Sequence, residues 1–160
     1  MKKILAIGGA VIKTARQELI DVIKSGQVEM LIHNGGSIFH DFQLATEELE
    51  SHSHLLKDLI GDYAPNKAAS DLLWGWFEDK PAPQDSVTGL CESMDIPVLM
   101  FTGLGCDFWQ LFNDKWEIFA KRASKDFSCL TGKFTKKFHY VCMGSAVIHP
   151  EVFTKAIATF

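Results

Sequence analysis

The residues with the most chemistry in reach of one another form a single run, His33-Asn34-Gly35-Gly36-Ser37-Ile38-Phe39-His40-Asp41-Phe42. An imidazole that titrates near neutrality beside a carboxylate is the pairing general acid–base catalysis uses, so His40 and Asp41 are the candidate catalytic residues. Both fall on the first turn of a helix expected after a strand. The competing reading has Asp41 complementing the positive helix start and His33 as a hydrogen-bonded, half-buried histidine. Glycine marks the second kind of candidate. Gly8-Gly9, Gly35-Gly36, Gly103-Leu104-Gly105 and Gly144 each follow an apolar run, and glycine at the carboxyl end of a parallel strand lets loop backbone approach a phosphate or a ring. Gly8, Gly9, Asn34, Gly35, Gly36, Gly103, Gly105, Gly144 and Ser145 are therefore the candidate cofactor-binding residues, with plain turn chemistry as the alternative at each. Four such turns at one mouth favour a nucleotide-like ligand. Neither G-x-G-x-x-G nor G-x-x-x-x-G-K-S/T is present, so no standard phosphate fingerprint supports this.

Other groups carry less. His52 and His54 form an H-x-H pair beside Glu47, Glu48 and Glu50, without the third-ligand spacing of a zinc site, and read as a solvated loop with no metal. Trp74-Gly75-Trp76-Phe77-Glu78-Asp79 could stack on a ring or hold a polyamine. Its helical spacing equally sends Trp74 and Phe77 to the core. Cys106 precedes a helix start, which lowers a thiol pKa, but no histidine neighbours it. Lys133, Lys136 and Lys137 bracket Phe134 and Phe138 as a small basic turn.

The elements that must position these residues alternate. Lys3 to Ile7, Val28 to His33, Pro97 to Thr102 and His139 to Met143 are nearly continuous apolar runs, the pattern of strands covered on both faces in a parallel sheet. A helical pattern follows each. Thr14 with Gln17, and Asp107 with Gln110, have capping-box spacing, and Pro150 with Glu151 suits a first turn. The fold class predicted is α/β, a Rossmann-like parallel sheet with helices on both faces. The stretch from about 37 to 95 has no convincing strand; Phe39 to Glu50, Leu55 to Tyr63, Lys67 to Glu78 and Ser86 to Met94 read as a helical insertion.

Length and composition bound the rest. At 160 residues, 47% hydrophobic and 22% charged, the chain is sized for one domain with a real core and is not disordered. Sixteen Lys plus Arg against 20 Asp plus Glu, net −4, leave no excess of positive charge for a nucleic-acid partner. No apolar run is long enough to cross a membrane. Gly8-Gly9 interrupts the segment that begins like a signal peptide, and the four cysteines have neither C-x-x-C pairs nor disulfide-framework spacing, so a cytoplasmic location is expected. Four tryptophans and 12 phenylalanines exceed what a small core absorbs and point to a homo-oligomer.

Two stretches, Leu31-Ile32-His33-Asn34-Gly35-Gly36-Ser37-Ile38-Phe39-His40-Asp41-Phe42 and Gly144-Ser145-Ala146-Val147-Ile148-His149-Pro150-Glu151-Val152-Phe153, resemble the deoxyhypusine synthase-like family. The resemblance implies a Rossmann-like domain, NAD lying over the strand ends at Asn34, Gly35, Gly36, Asp41, Gly144 and Ser145, action on a polyamine or other amine as small-molecule ligand, and a tetramer. The family's transferase passes an aminobutyl group through an imine on a lysine in a Trp-Gly-Lys motif. Here Trp74-Gly75-Trp76 carries tryptophan where that lysine would stand, which argues against transfer. The alternative is a non-catalytic homo-oligomeric binding or assembly protein.

Overall fold

The computed structural model describes residues 2–46, 67–101, 116–135, 137–145 and 147–159. Four strands, β1 (Lys3–Ile7), β2 (Val28–His33), β3 (Val98–Met100) and β4 (His139–Met143), form one sheet in the order β3-β2-β1-β4. Every pairing is parallel. The register aligns the carboxyl ends: Ile7 sits opposite His33 on one side and Met143 on the other, and His33 opposite Met100. β3 is shorter than its apolar run, but Leu31 N–H to Pro97 O and Phe101 N–H to His33 O continue its ladder at both ends.

Alternation along the strands divides the core into two layers. Leu5, Ile7, Leu31, Val98 and Met100 face α1 (Gly9–Thr14), α2 (Arg16–Lys24), α3 (Gly35–Ala45), α4 (Lys67–Phe77) and α5 (Val87–Ser93). Ile4, Ala6, Met30, Ile32 and Leu99 face α6 (Trp116–Thr131) and α7 (Ile148–Thr159) through Leu130 and Ala156. Helices thus cover both faces, as the unbroken apolar strands require. Burying one such Ile or Leu contributes about 1.5–3 kcal/mol, so the two layers are the main source of stability.

Three local features differ from the sequence expectation. α3 starts at Gly35 rather than Phe39, because Asn34 Oδ1 accepts the Ser37 N–H and Ser37 Oγ accepts the Asn34 N–H, a reciprocal cap directly behind β2. Between α1 and α2 no capping box forms. Thr14 Oγ1 donates to Ala10 O inside a helix already begun at Gly9, and Gln17 bonds Asp21; only Ala15 interrupts the backbone series. In α4 the deep residues are Leu73, Trp76 and Phe77, at i, i+3 and i+4, while Trp74 is half-buried. α3, α4 and α5 make up one face of the core through Ile38, Phe42, Leu73, Trp76, Val87 and Cys91. The helix expected over Leu55 to Tyr63, the H-x-H pair at His52 and His54, and the capping box of Asp107 and Gln110 lie outside the described residues. Pro150 is in the first turn of α7, as expected.

The free edge of β3 is shielded by side chains. Asp126 Oδ2 accepts the Met100 N–H at 2.9 Å, and Arg122 Nη2 donates to Val98 O at 3.2 Å, so an i,i+4 pair on α6 stands where another strand would pair. The Arg122 guanidinium also lies 4.1 Å over the Trp76 ring. Among the described residues no helix is long and apolar enough to cross a membrane.

Candidate functional site

Strand order locates the crevice. β2 and β3 follow β1 on one side and β4 lies on the other, and the helices after β1 pack on one face of the sheet while α7, after β4, packs on the other. In open α/β sheets ligands bind at the carboxyl ends of the strands beside such a reversal. The β1–α1 turn and the β4–α7 turn line it.

Those two turns touch. Gly8 N–H donates to Met143 O at 2.7 Å, and a β-carbon on Gly8 would stand 2.7 Å from the Ser145 nitrogen. Gly144 has φ +75° and Ser145 φ +51°, and a β-carbon on Gly144 would stand 3.3 Å from Gly8 Cα. Glycine here lets backbone approach backbone and forms the crevice floor. Gly9 serves a helix crossing, its β-carbon position being 3.1 Å from His40 Cδ2 and 3.4 Å from the Gly36 carbonyl carbon. α1 is capped by Gly8 without a side-chain bond, and neither α1 nor α3 has an acidic residue in its first turn. The partial positive charge of those helix starts is therefore not neutralised within them.

His33, Ser37, Asp41 and Thr88 are all wholly buried and hydrogen-bonded in series. Asp41 Oδ1 accepts the Val87 N–H, and Oδ2 accepts both the N–H and the hydroxyl of Thr88, at 2.7–2.8 Å. Its carboxylate therefore caps α5. Thr88 Oγ1, which donates to Asp41, lies 3.2 Å from His33 Nε2, and His33 Nδ1 lies 2.9 Å from Ser37 Oγ, whose hydroxyl also donates to Asn34 O at 3.0 Å. Burial, reinforced by His149, pushes the His33 pKa down to about 3. Burial pushes the Asp41 pKa up against the opposing pull of Thr88, Val87 and Arg16.

The candidate residues thus fall into three groups. Gly8, Gly144 and Ser145 meet at the crevice. Gly9, Gly36 and His40 meet at the α1–α3 crossing, where His40 Nδ1 lies 3.0 Å from Gln43 Oε1. Asp41 lies in the buried network; Asn34, half-buried at the mouth, caps α3, with Gly35 buried beside it. Gly103 and Gly105, with Cys106, are outside the described residues. Sequence reasoning did not single out Thr88 or His149. His149 Nε2 lies 2.8 Å from Ile7 O, and its place just after the β4 turn was the available signal. No protein-family model matches the chain, and no curated protein matches it.

Proposed function

We propose that the protein is a dinucleotide-binding domain that takes NAD across the carboxyl ends of β1 and β4. The observation that carries this reading is the reversal of strand order at β1, with the Gly8-Gly9 turn at the reversal. The uncompensated starts of α1 and α3 favour an anionic group such as a pyrophosphate. Bound NAD supplies a hydride acceptor; the chain's own part is to hold it at the crevice floor. An amine is the co-substrate that the resemblance to deoxyhypusine synthase-like proteins implies. No Trp-Gly-Lys motif occurs in the sequence, so the expected behaviour is NAD binding without aminobutyl transfer.

Calorimetric titration with NAD, NADP, FAD and spermidine tests this, beside Ala10→Glu. Ala10 is exposed in the first turn of α1, where an acid suits the helix dipole but repels a phosphate. The expected outcome is NAD binding by the parent and at least a tenfold loss in Ala10→Glu, about 1.4 kcal/mol, at unchanged unfolding midpoint. A parent that does not bind NAD overturns the reading.

One observation favours the alternative, an assembly protein. Beside β4 runs an open groove of about 260 Å³ lined by Leu5, Val11, Leu19, Val22, Val141 and Met143. On α7, which packs on the other face of the sheet, Ile157 is 53% exposed and borders a second opening with Phe134, Phe138 and Phe153.

A further inference from the structure

At the amino end of β3, opposite to the crevice, lies an open cavity of about 440 Å³. It is lined by Trp76 of α4, Lys80 of the turn after it, Glu92 of α5, Pro97 and Val98 at the start of β3, and Arg122 of α6. The volume is that of a small-molecule site, and no residue placed at the crevice borders it.

One ring fixes two opposite charges in this cavity. The Arg122 guanidinium lies 4.1 Å over the face of Trp76, while its Nε donates to Asp126 Oδ1 at 3.0 Å and its Nη2 to Val98 O at 3.2 Å. At the edge of the same ring, the Trp76 Nε1–H donates to Glu92 Oε1 at 2.7 Å, and the Ala82 N–H donates to Glu92 Oε2 at 2.9 Å. Both charged groups are therefore held in place by structural partners. Among the described residues Arg122 pairs with Asp126, and Glu92 pairs with no cation. Arg122 Nη1 keeps its donors uncommitted, and each Glu92 oxygen, with one bond made, accepts a further one. Asp79 and Lys80 repeat the two charges at the exposed rim, again without an ion pair. Asp79 has φ +64° just past α4, a helix-end conformation that favours glycine, so a carboxyl stands there against the backbone preference.

A ligand of a single sign would meet a like charge beside every opposite one. A guanidinium offers a fork to a carboxylate, and a carboxylate accepts from an ammonium. We propose that this cavity binds a free α-amino acid, its carboxylate on Arg122 Nη1 and Lys80 and its ammonium on Glu92 and Asp79. The proposal is independent of the NAD reading, because the two sites lie at opposite ends of the sheet.

The test is NMR of ¹⁵N-tryptophan-labelled protein titrated with each of the standard L-amino acids, following the indole resonance of Trp76, whose N–H is bonded to Glu92; Trp76→Phe assigns that resonance. The amino acid that binds most tightly is then compared with its amide, which lacks the carboxylate, and its N-acetyl form, which lacks the ammonium. The expected result is a saturating shift of the Trp76 resonance, with binding weaker by about tenfold or more for both capped forms and for the free amino acid in Glu92→Gln. No saturating shift with any amino acid up to about 20 mM overturns the proposal. A peptide end presents only one of the two charges, as a capped form does, so retained affinity of either capped form also overturns it. Binding by folded Glu92→Gln within twofold of the parent does the same. If Glu92→Gln does not fold, the capped forms on the parent decide.

Discussion

Gly144 and Asp41 illustrate how a residue's type follows from what surrounds it. Gly144 has φ +75° with Gly8 Cα 3.3 Å from its absent β-carbon, so both torsion and contact exclude a side chain. Gly144→Ala is expected to cost about 1–2 kcal/mol of stability, read from a urea midpoint. An unchanged midpoint would refute the packing role. Asp41 accepts three hydrogen bonds in the core. Asp41→Asn keeps the shape but turns an N–H₂ toward donors, and a loss of about 2–4 kcal/mol is expected. His33 sets a pH dependence. Its folded pKa of about 3 lies below the ordinary 6.5, so between those values the unfolded chain binds more protons. Stability is then complete above pH 6.5 and falls as pH drops toward 3. His149, also lowered, adds to this slope, whereas the raised Asp41 pKa opposes it above 3.8. Urea titrations from pH 7.5 to 4.5 should show a shallower decline in His33→Gln than in the parent; equal slopes would count against the assignment.

At the scale of elements, the two sheet edges are handled differently. β3 is closed by Arg122 and Asp126, which satisfy Val98 O and Met100 N–H. Asp126 is buried, so Asp126→Ala strands both the Met100 amide and the Arg122 guanidinium. A loss of about 2 kcal/mol or more is expected in chemical denaturation, with increased light scattering as the edge becomes free to pair. Retained stability and solubility would show that the shield is dispensable. The α1–α3 crossing depends on Gly9 fitting against Gly36 and His40, which links His40 to helix packing.

For the whole molecule, the β4 side contrasts with β3. His139 to Met143 contains no Lys, Glu or Pro, and the apolar groove runs beside it. Under the proposed homo-oligomer reading, light scattering at micromolar concentration gives a mass above that of one chain. Cys142 is exposed on β4, and Cys142→Lys, a charge of the kind that blocks edge pairing, should return the monomer. A parent that is monomeric at that concentration removes the oligomer from consideration.

The strands were legible in the sequence because their runs are nearly continuously apolar, β1, β2 and β3 being buried on both faces while the edge strand β4 keeps His139 and Cys142 exposed: Lys3–Ile7, Val28–His33 and His139–Met143 match their runs residue for residue. The glycine turns were legible for the same local reason, since Gly8 and Gly144 mark where strand gives way to turn. Their partners were not. That Gly8 meets Ser145, that Asp41 caps a helix starting 46 positions further along, and that His149 reaches Ile7 depend on the order β3-β2-β1-β4. Hydrophobic periodicity specifies which face of an element is buried, but carries no information about which element lies against it. Sequence alone therefore determined the elements and the layers, whereas tertiary structure decided which polar residues meet at the crevice and which are enclosed in the core.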